Sequence, residues 1–387
     1  MPRTRGRSCA RRVLSTAQPR QQEPGEGQSR RDDIGCSARR AAYHTGVDVV
    51  ERDSRAPIFR CPACGRPLQT ERGSPLCRTC GARVLTDDGI LLLARDAVCS
   101  AENAHYEQRY AAVDQRRRPC DLRLLRSEWE SLYYPMNADV LRRVGDVHDR
   151  TVLLLGNGAS DKELYFLTQK PRLLIVSDLS LEALRRVRRR YSFEGGQYPV
   201  EYAVIDANRL PILDGTVDVV YGYAFVHHLS ATHRFIEEVA RVLQDGGRCV
   251  FMDNRYSPMW QRAKVGVLRP LMRYFHRRGD ISPQDLRATL SGWHREEELQ
   301  NMITAVGGTP FFDSSSLFHY LFTRASERLP PRAVFSYLGS RAWLLRTLIR
   351  LDTGLSRFER IRRNHIRLVW GFELPRRQPS ASSVGRT

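Results

Sequence analysis

Cys61-Pro-Ala-Cys64 and Cys77-Arg-Thr-Cys80 are two CxxC pairs with twelve residues between them, and each pair is followed by a glycine, Gly65 and Gly81. A CxxC turn aims two thiolates at one centre, and the glycine relieves the left-handed backbone that follows. Two such knuckles supply the four soft ligands of a closed tetrahedral zinc site. Four sulfurs leave no open coordination position, so the expected metal is structural rather than catalytic. The other cysteines, Cys9, Cys36, Cys99, Cys120 and Cys249, are scattered and read as free thiols.

A second constellation begins at VLLLGNGASDKEL, residues 152–164, where branched apolar residues run into a turn containing Gly156 and Gly158. A dinucleotide-binding GxGxxG loop needs a third glycine at 161. That position is Asp161, whose charge repels a pyrophosphate from the helix N-terminus. S-adenosylmethionine carries no phosphate, only an ammonium, a sulfonium and one carboxylate, so nearby acids help it. Gly156, Asn157 and Gly158 let the backbone approach its methionine part, or else make a tight strand-to-helix turn with no ligand, and Ser160 with Glu163 reads as a capping box. Asp161 is expected near the ammonium. Asp178, closing LLIVSD twenty residues past Gly158, is placed to accept ribose hydroxyl protons, with Leu179 beside it. Asp206 and Ala207 follow the next strand, where an adenine amino group is expected, and Tyr223 closes the fourth.

Methyl transfer from a sulfonium needs alignment and water exclusion, and sometimes a base. His227 and His228 follow the fourth strand at the cleft mouth, either as a base for a hydroxyl nucleophile or as packing residues. Tyr106 and Tyr110, one helical turn apart, form either a lid over the cofactor or an aromatic core stripe.

Short apolar strands at 151–155, 172–177, 200–204, 217–223 and 247–253 alternate with amphipathic helices, which predicts a doubly wound parallel sheet. In SLEALRRVRRRY, Leu181, Leu184, Val187 and Tyr191 share a helix face toward the sheet, and the arginines between them read as a solvated face. REEELQNMITAVGG predicts a helix closed by glycines, TPFFDSS and IRLVWGFELP two strands, and residues 318–363 a helical insertion between them. The expected divisions are a disordered basic tail at 1–57, a zinc ribbon at 58–98, a helical linker or lid at 99–148, the cofactor core at 149–256, substrate-cap helices and final strands at 257–375, and a second tail at 376–387.

Taken in order, residues 150–254 resemble the class I S-adenosylmethionine-dependent methyltransferases, especially the ubiquinone- and menaquinone-pathway branch. The matching pieces are the glycine loop, Asp178, Asp206-Ala207, LPILDGTVDVV, His227-His228 and RVLQDGG. The resemblance implies a Rossmann-like seven-stranded sheet whose antiparallel last strand, IRLVWGFELP, lies between the fifth and sixth. The cysteine segment, about forty residues, resembles zinc ribbons that accompany methyltransferases. Two departures are Leu154, where the family often has an acid, and Ser160, where it has a glycine.

The net charge is +19, carried almost wholly by arginine, which favours an anionic partner. No apolar run approaches the roughly 18–20 residues that span a bilayer, and no secretory signal is evident, so the expectation is a cytoplasmic protein. The acceptor is expected to be a small or lipid-like molecule, with basic amphipathic helices allowing peripheral membrane contact. The alternatives are a ribosomal-RNA base methyltransferase and a non-catalytic methyltransferase-like binding protein. The oligomeric state is not legible.

Overall fold

The computed structural model describes residues 57–71, 74–94, 134–160, 162–191, 199–229, 231–263, 269–277, 294–315 and 342–376, with positions 104, 107, 108, 110, 111 and 266. The two expected tails, save their boundary residues, lie outside the described residues, as do Tyr106 and Asp161.

Between the cysteine knuckles, β1 (Gln69–Glu71) and β2 (Ser74–Leu76) make a small antiparallel hairpin. All other described strands form one sheet: β3 (Thr86–Asp87), β4 (Ile90–Leu92), β5 (Thr151–Leu155), β6 (Leu173–Asp178), β7 (Val200–Val204), β8 (Val217–Tyr223), β9 (Leu243–Asn254), β10 (Thr309–Ser315) and β11 (Arg367–Glu373). Their spatial order is β10-β11-β9-β8-β5-β6-β7-β4-β3. The central pairs are parallel, and β11 runs antiparallel between β9 and β10, the place the resemblance implies.

Among the described residues the sheet therefore holds nine strands rather than seven. The two additional ones, β3 and β4, come from the segment assigned to the zinc ribbon, because Ile90–Leu92 pairs in parallel with Tyr202–Val204 at the open edge of β7. Covering that edge removes an unpaired ladder of amides and carbonyls. β5 and β6 are buried along almost their whole length, as unbroken Val/Leu/Ile runs must be when helices cover both faces. β9 starts at Leu243 rather than 247, with a register irregularity opposite Val217 and Val219 that admits the glycine pair.

The described helices are α1 (Tyr134–Val144), α2 (Glu163–Thr168), α3 (Leu181–Tyr191), α4 (Thr232–Val242), α5 (Pro258–Ala263), α6 (Arg269–Arg277), α7 (Glu296–Ala305), α8 (Ala342–Leu355) and α9 (Glu359–Arg362). α3 buries Leu184 and Val187 as its periodicity predicts. Its arginines are not simply solvated, however. Arg185 bonds Asp87 at 2.7 Å, and Arg188 pairs with Asp88, so α3 grips the turn that carries β3 and β4 into the sheet. The expected insertion over 318–363 is described only from 342 onward, where α8 and α9 occupy it. No described helix is long and apolar enough to cross a membrane.

Candidate functional site

The carboxyl ends of β5, β6, β7 and β8 bring the predicted loop residues together. Gly156 and Gly158 adopt φ of +58° and +60°, which L side chains rarely do. A Cβ on Gly156 would also meet the Phe225 ring at 2.5 Å, and one on Gly158 would meet the Tyr110 hydroxyl at 2.9 Å. Asp178 ends β6, one strand over. Its Oδ2 accepts the Gly158 amide proton at 2.7 Å, and its Oδ1 accepts that of Ser180 at 2.8 Å. Burial raises the Asp178 carboxyl above its ordinary range, while those two amides and the Lys162 charge pull in the other direction. Such a carboxylate keeps lone pairs free for further hydroxyl donors.

Lys162, which the sequence reading passed over, lies across this loop. Its Nζ donates to the carbonyls of Gly156 at 3.4 Å, Asn157 at 3.4 Å and Tyr223 at 3.2 Å, and sits 5.1 Å from the centre of the Tyr223 ring. Three converging carbonyls and an aromatic face make a cradle for an ammonium.

The capping box does not form. α2 begins at Glu163, so Ser160 falls within the loop and its hydroxyl donates instead to the Asn157 carbonyl at 2.8 Å. Glu163 is fully buried and accepts from Asn157 Nδ2 at 3.3 Å. Asn157, Ser160 and Glu163 thus brace the loop from within.

Farther along the edge, Asp206 accepts both the backbone and side-chain N–H of Asn208, at 2.9 and 3.0 Å, in a tight Asx turn. Ala207 packs against the core, and Leu179 is half-buried beside Asp178. Glu107 caps α3 from a distance: its Oε1 accepts the Leu181 amide at 2.6 Å and its Oε2 the Glu182 amide at 3.0 Å. Glu107 thereby anchors the segment that brings Tyr110 over Gly158. No local pattern marks it, since donor and acceptor lie over seventy positions apart.

The histidine pair stands on the turn after β8. The two rings lie 4.1 Å apart, and His227 Nδ1 bonds the Asp253 carboxylate, a buried group near the end of β9. Burial pushes Asp253 up, but His227 and His294 outweigh it and hold the carboxyl below its usual range. His294, just before α7, is pushed down by burial against the pull of Asp253. Asp253 is also absent from the sequence-based candidates.

The four knuckle cysteines converge, with all their sulfurs within 4.8 Å of one another, the one such group among the described residues. The Gly65 and Gly81 amides close the two turns on the Cys61 and Cys77 carbonyls, each at 2.8 Å. The Cys80 amide, against burial and aided by Cys64 and the Thr79 amide, brings the Cys77 thiol down, while the neighbouring sulfurs push Cys64 and Cys80 up, as four thiols sharing one centre must do. Four sulfurs at this spacing fit a tetrahedral soft cation. This module is stitched to the loop after β7. Phe59 bridges Ile212, the Arg60 amide donates to the Pro211 carbonyl at 3.0 Å, and the Leu213 amide donates to the Ile58 carbonyl at 2.9 Å. A cavity of about 600 Å³ between the two is lined by Arg60, Cys64, Leu93, Asp206 and Arg209 among others.

Residues 153–251 match the family described as Methyltransferase domain. The chain is 30% identical over 142 residues to a ubiquinone/menaquinone biosynthesis C-methyltransferase of Desulfotalea psychrophila, covering 36% of this chain and 53% of the relative. It is 33% identical over 122 residues to a fatty-acid O-methyltransferase of Mycolicibacterium smegmatis, covering 30% of this chain and 43% of the relative. The YcgJ protein of Bacillus subtilis is a solved structure with 18% identity and a TM-score of 0.42, covering 64% of this chain and all of that one. The chain spans about half the length of the curated relatives it matches.

Proposed function

We propose that the protein is an S-adenosylmethionine-dependent methyltransferase acting on a small or lipid-like acceptor, with a structural zinc held by Cys61, Cys64, Cys77 and Cys80. The observation that carries this reading is the pairing of an ammonium cradle with a carboxylate on adjacent strands. The cradle is made by the Gly156, Asn157 and Tyr223 carbonyls and is filled here by the Lys162 ammonium. A ligand with its own ammonium matches that set of acceptors. Asp178, tied to Gly158, stands one strand away to take ribose hydroxyls. The absence of a third glycine in the loop argues against dinucleotides on the same grounds.

In this reading Gly156, Asn157, Gly158, Ser160, Asp161 and Tyr223 surround the methionine part. Asp178 and Leu179 hold the ribose, and Asp206 and Ala207 face the adenine. Tyr110 closes over the cleft from the segment that Glu107 anchors, and Tyr106, outside the described residues, is kept as a second candidate for the lid. When bound, the cofactor supplies a methyl group on a positively charged sulfur, already activated for displacement. The chain's task is to align an acceptor in line with that group and to keep water out. His227 and His228 stand nearest the mouth as candidates to handle a proton.

The expected division into ribbon, lid, core and cap is retained as part of the proposal, with β3 and β4 transferred from the ribbon to the core sheet. A cytoplasmic protein with peripheral membrane contact is consistent with this reading. RNA gains no support from α3, where Arg185 and Arg188 pair with acids.

The test uses cofactor labelled with tritium in its methyl group, incubated with the purified chain and a cell extract divided into RNA, protein and lipid-soluble fractions. Label in the lipid-soluble or small-molecule fraction supports the reading. Label confined to RNA overturns the acceptor class, and no transfer to any fraction overturns the activity.

A further inference from the structure

The turn carrying His227 is held by the buried carboxylate of Asp253. Asp253 is 1% exposed, near the end of a central strand, with its Oδ1 on His227 Nδ1 and accepting the Asn254 amide at 3.2 Å, and its Oδ2 making no hydrogen bond. A buried carboxylate is costly unless it is paired. An apolar residue would suit a strand neighboured by Phe251 and Met252, both buried. A carboxylate on Nδ1 fixes the imidazole as the tautomer with its proton on Nδ1, and it stabilises the imidazolium once a second proton arrives. His227 stands on the turn after β8, at the carboxyl edge of the sheet where ligands bind in open α/β folds, and its Nε2 is left for a second partner.

We propose that His227, oriented by Asp253, takes the proton of a hydroxyl-bearing acceptor, an alcohol or phenol, and that free carboxylic acids are not the substrate class. The inference rests on the methyltransferase reading above. A carboxylic acid is already ionised at neutral pH and needs no base, whereas an alcohol or phenol must shed a proton as it attacks. In the step, the acceptor O–H bond breaks, its proton passes to His227 Nε2, and its electron pair stays on oxygen. That oxygen forms the new bond to the methyl carbon of a sulfonium donor. The sulfur–methyl bond breaks with its pair going to sulfur, and the donor leaves as a neutral thioether. The positive charge ends on an imidazolium beside Asp253.

The groups that face this pair are few. His228 stacks on His227 from the same turn, and His294 faces Asp253 and His227 from just before α7, with Glu298 of α7 acting on it in turn. Burial pushes His294 down and Asp253 pulls it up, while the direct hydrogen bond of Asp253 goes to His227 Nδ1. His227 is therefore the catalytic residue in this proposal and Asp253 a positioning residue.

Three measurements on the full chain test this. Titration calorimetry with S-adenosylmethionine on wild type, His227→Gln and Asp253→Asn separates the base from the berth. Equal affinities in all three are expected, and no binding by wild type would overturn the underlying methyltransferase reading. Long-range proton–nitrogen spectra of the histidines at pH 7.5 report the tautomer without any acceptor. The expected signal is His227 protonated on Nδ1 alone, with that preference lost in Asp253→Asn, whereas a proton on Nε2 in wild type overturns the proposal.

Tritiated methyl transfer to 4-dodecylphenol and to dodecanoate, measured between pH 5.5 and 8.5, tests the substrate class. The phenol is expected to be methylated, with a rate that falls at least about 100-fold in His227→Gln. Preference for dodecanoate, or an undiminished rate in His227→Gln, contradicts the proposal.

Discussion

Asp178 reaches back to Gly158, its Oδ2 accepting the glycine amide at 2.7 Å, so that the end of β6 and the turn after β5 form one rigid corner. The corner serves the backbone first, yet a carboxylate with two amide partners still has acceptor capacity for two hydroxyls. In Asp178→Asn one oxygen becomes a donor that faces an amide. Hydrogen bonds to a charged group contribute about 1.5–3 kcal/mol each, so cofactor affinity is expected to fall at least about 100-fold. Calorimetry measures the loss, with circular dichroism as the control for the fold. Unchanged affinity would mean the ribose lies elsewhere.

Lys162 makes the opposite prediction. Its ammonium already satisfies the Gly156, Asn157 and Tyr223 carbonyls, so an incoming ammonium must displace it. Lys162→Met is expected to tighten S-adenosylmethionine binding by about tenfold, the factor for roughly 1.4 kcal/mol. Weaker binding in that variant would show that Lys162 holds the ligand itself, through its carboxylate.

Stability should fall on mild acidification. Burial holds both His294 and His365 below the ordinary imidazole range. The unfolded chain, with imidazoles near about 6.5, then takes up protons before the folded one does. The stabilisation is fully present above that value and declines as pH falls toward the folded-state values, by at most about 1.4 kcal/mol per pH unit for each histidine. Urea midpoints from pH 7.5 to 5.5 measure the slope. His365→Gln should flatten it, and a midpoint constant over that interval would contradict the burial argument.

The metal is predicted to act at a distance. Zinc release by a thiol-reactive mercurial, followed with a chromogenic chelator, should yield one ion per chain. Cys64→Ser should lower the melting temperature. Because Phe59 bridges Ile212 on the loop that begins at Asp206, the same variant should also weaken cofactor binding. A chain that yields no zinc and melts unchanged after treatment would remove the metal from the account.

These expectations differ in how visible they were in the sequence. β5, β7 and β8 could be drawn residue for residue, because short segments rich in valine, leucine and tyrosine bounded by turn signals have few other ways to fold. Gly156, Gly158 and Asp178 were also legible, since a turn and the end of the next strand are fixed by local order. β4 was not: three residues carry no period, and only the open edge of β7 assigns them to the large sheet. Lys162, Glu107 and Asp253 escaped for a related reason. Each acts through partners that only the folded sheet brings near, such as the Tyr223 carbonyl 61 positions from Lys162 and the Asp253 carboxylate 26 positions from His227. Ser160 was misread as a cap because its spacing to Glu163 fits that pattern, although the helix starts too late for it to form.

The most direct measurement is calorimetric titration of the purified full chain with S-adenosylmethionine, alongside NAD and FAD at equal concentration. One saturating equivalent of S-adenosylmethionine, and no heat from either dinucleotide, is the result predicted by a cradle for an ammonium beside a carboxylate. Silence with S-adenosylmethionine together with uptake of NAD or FAD would contradict it.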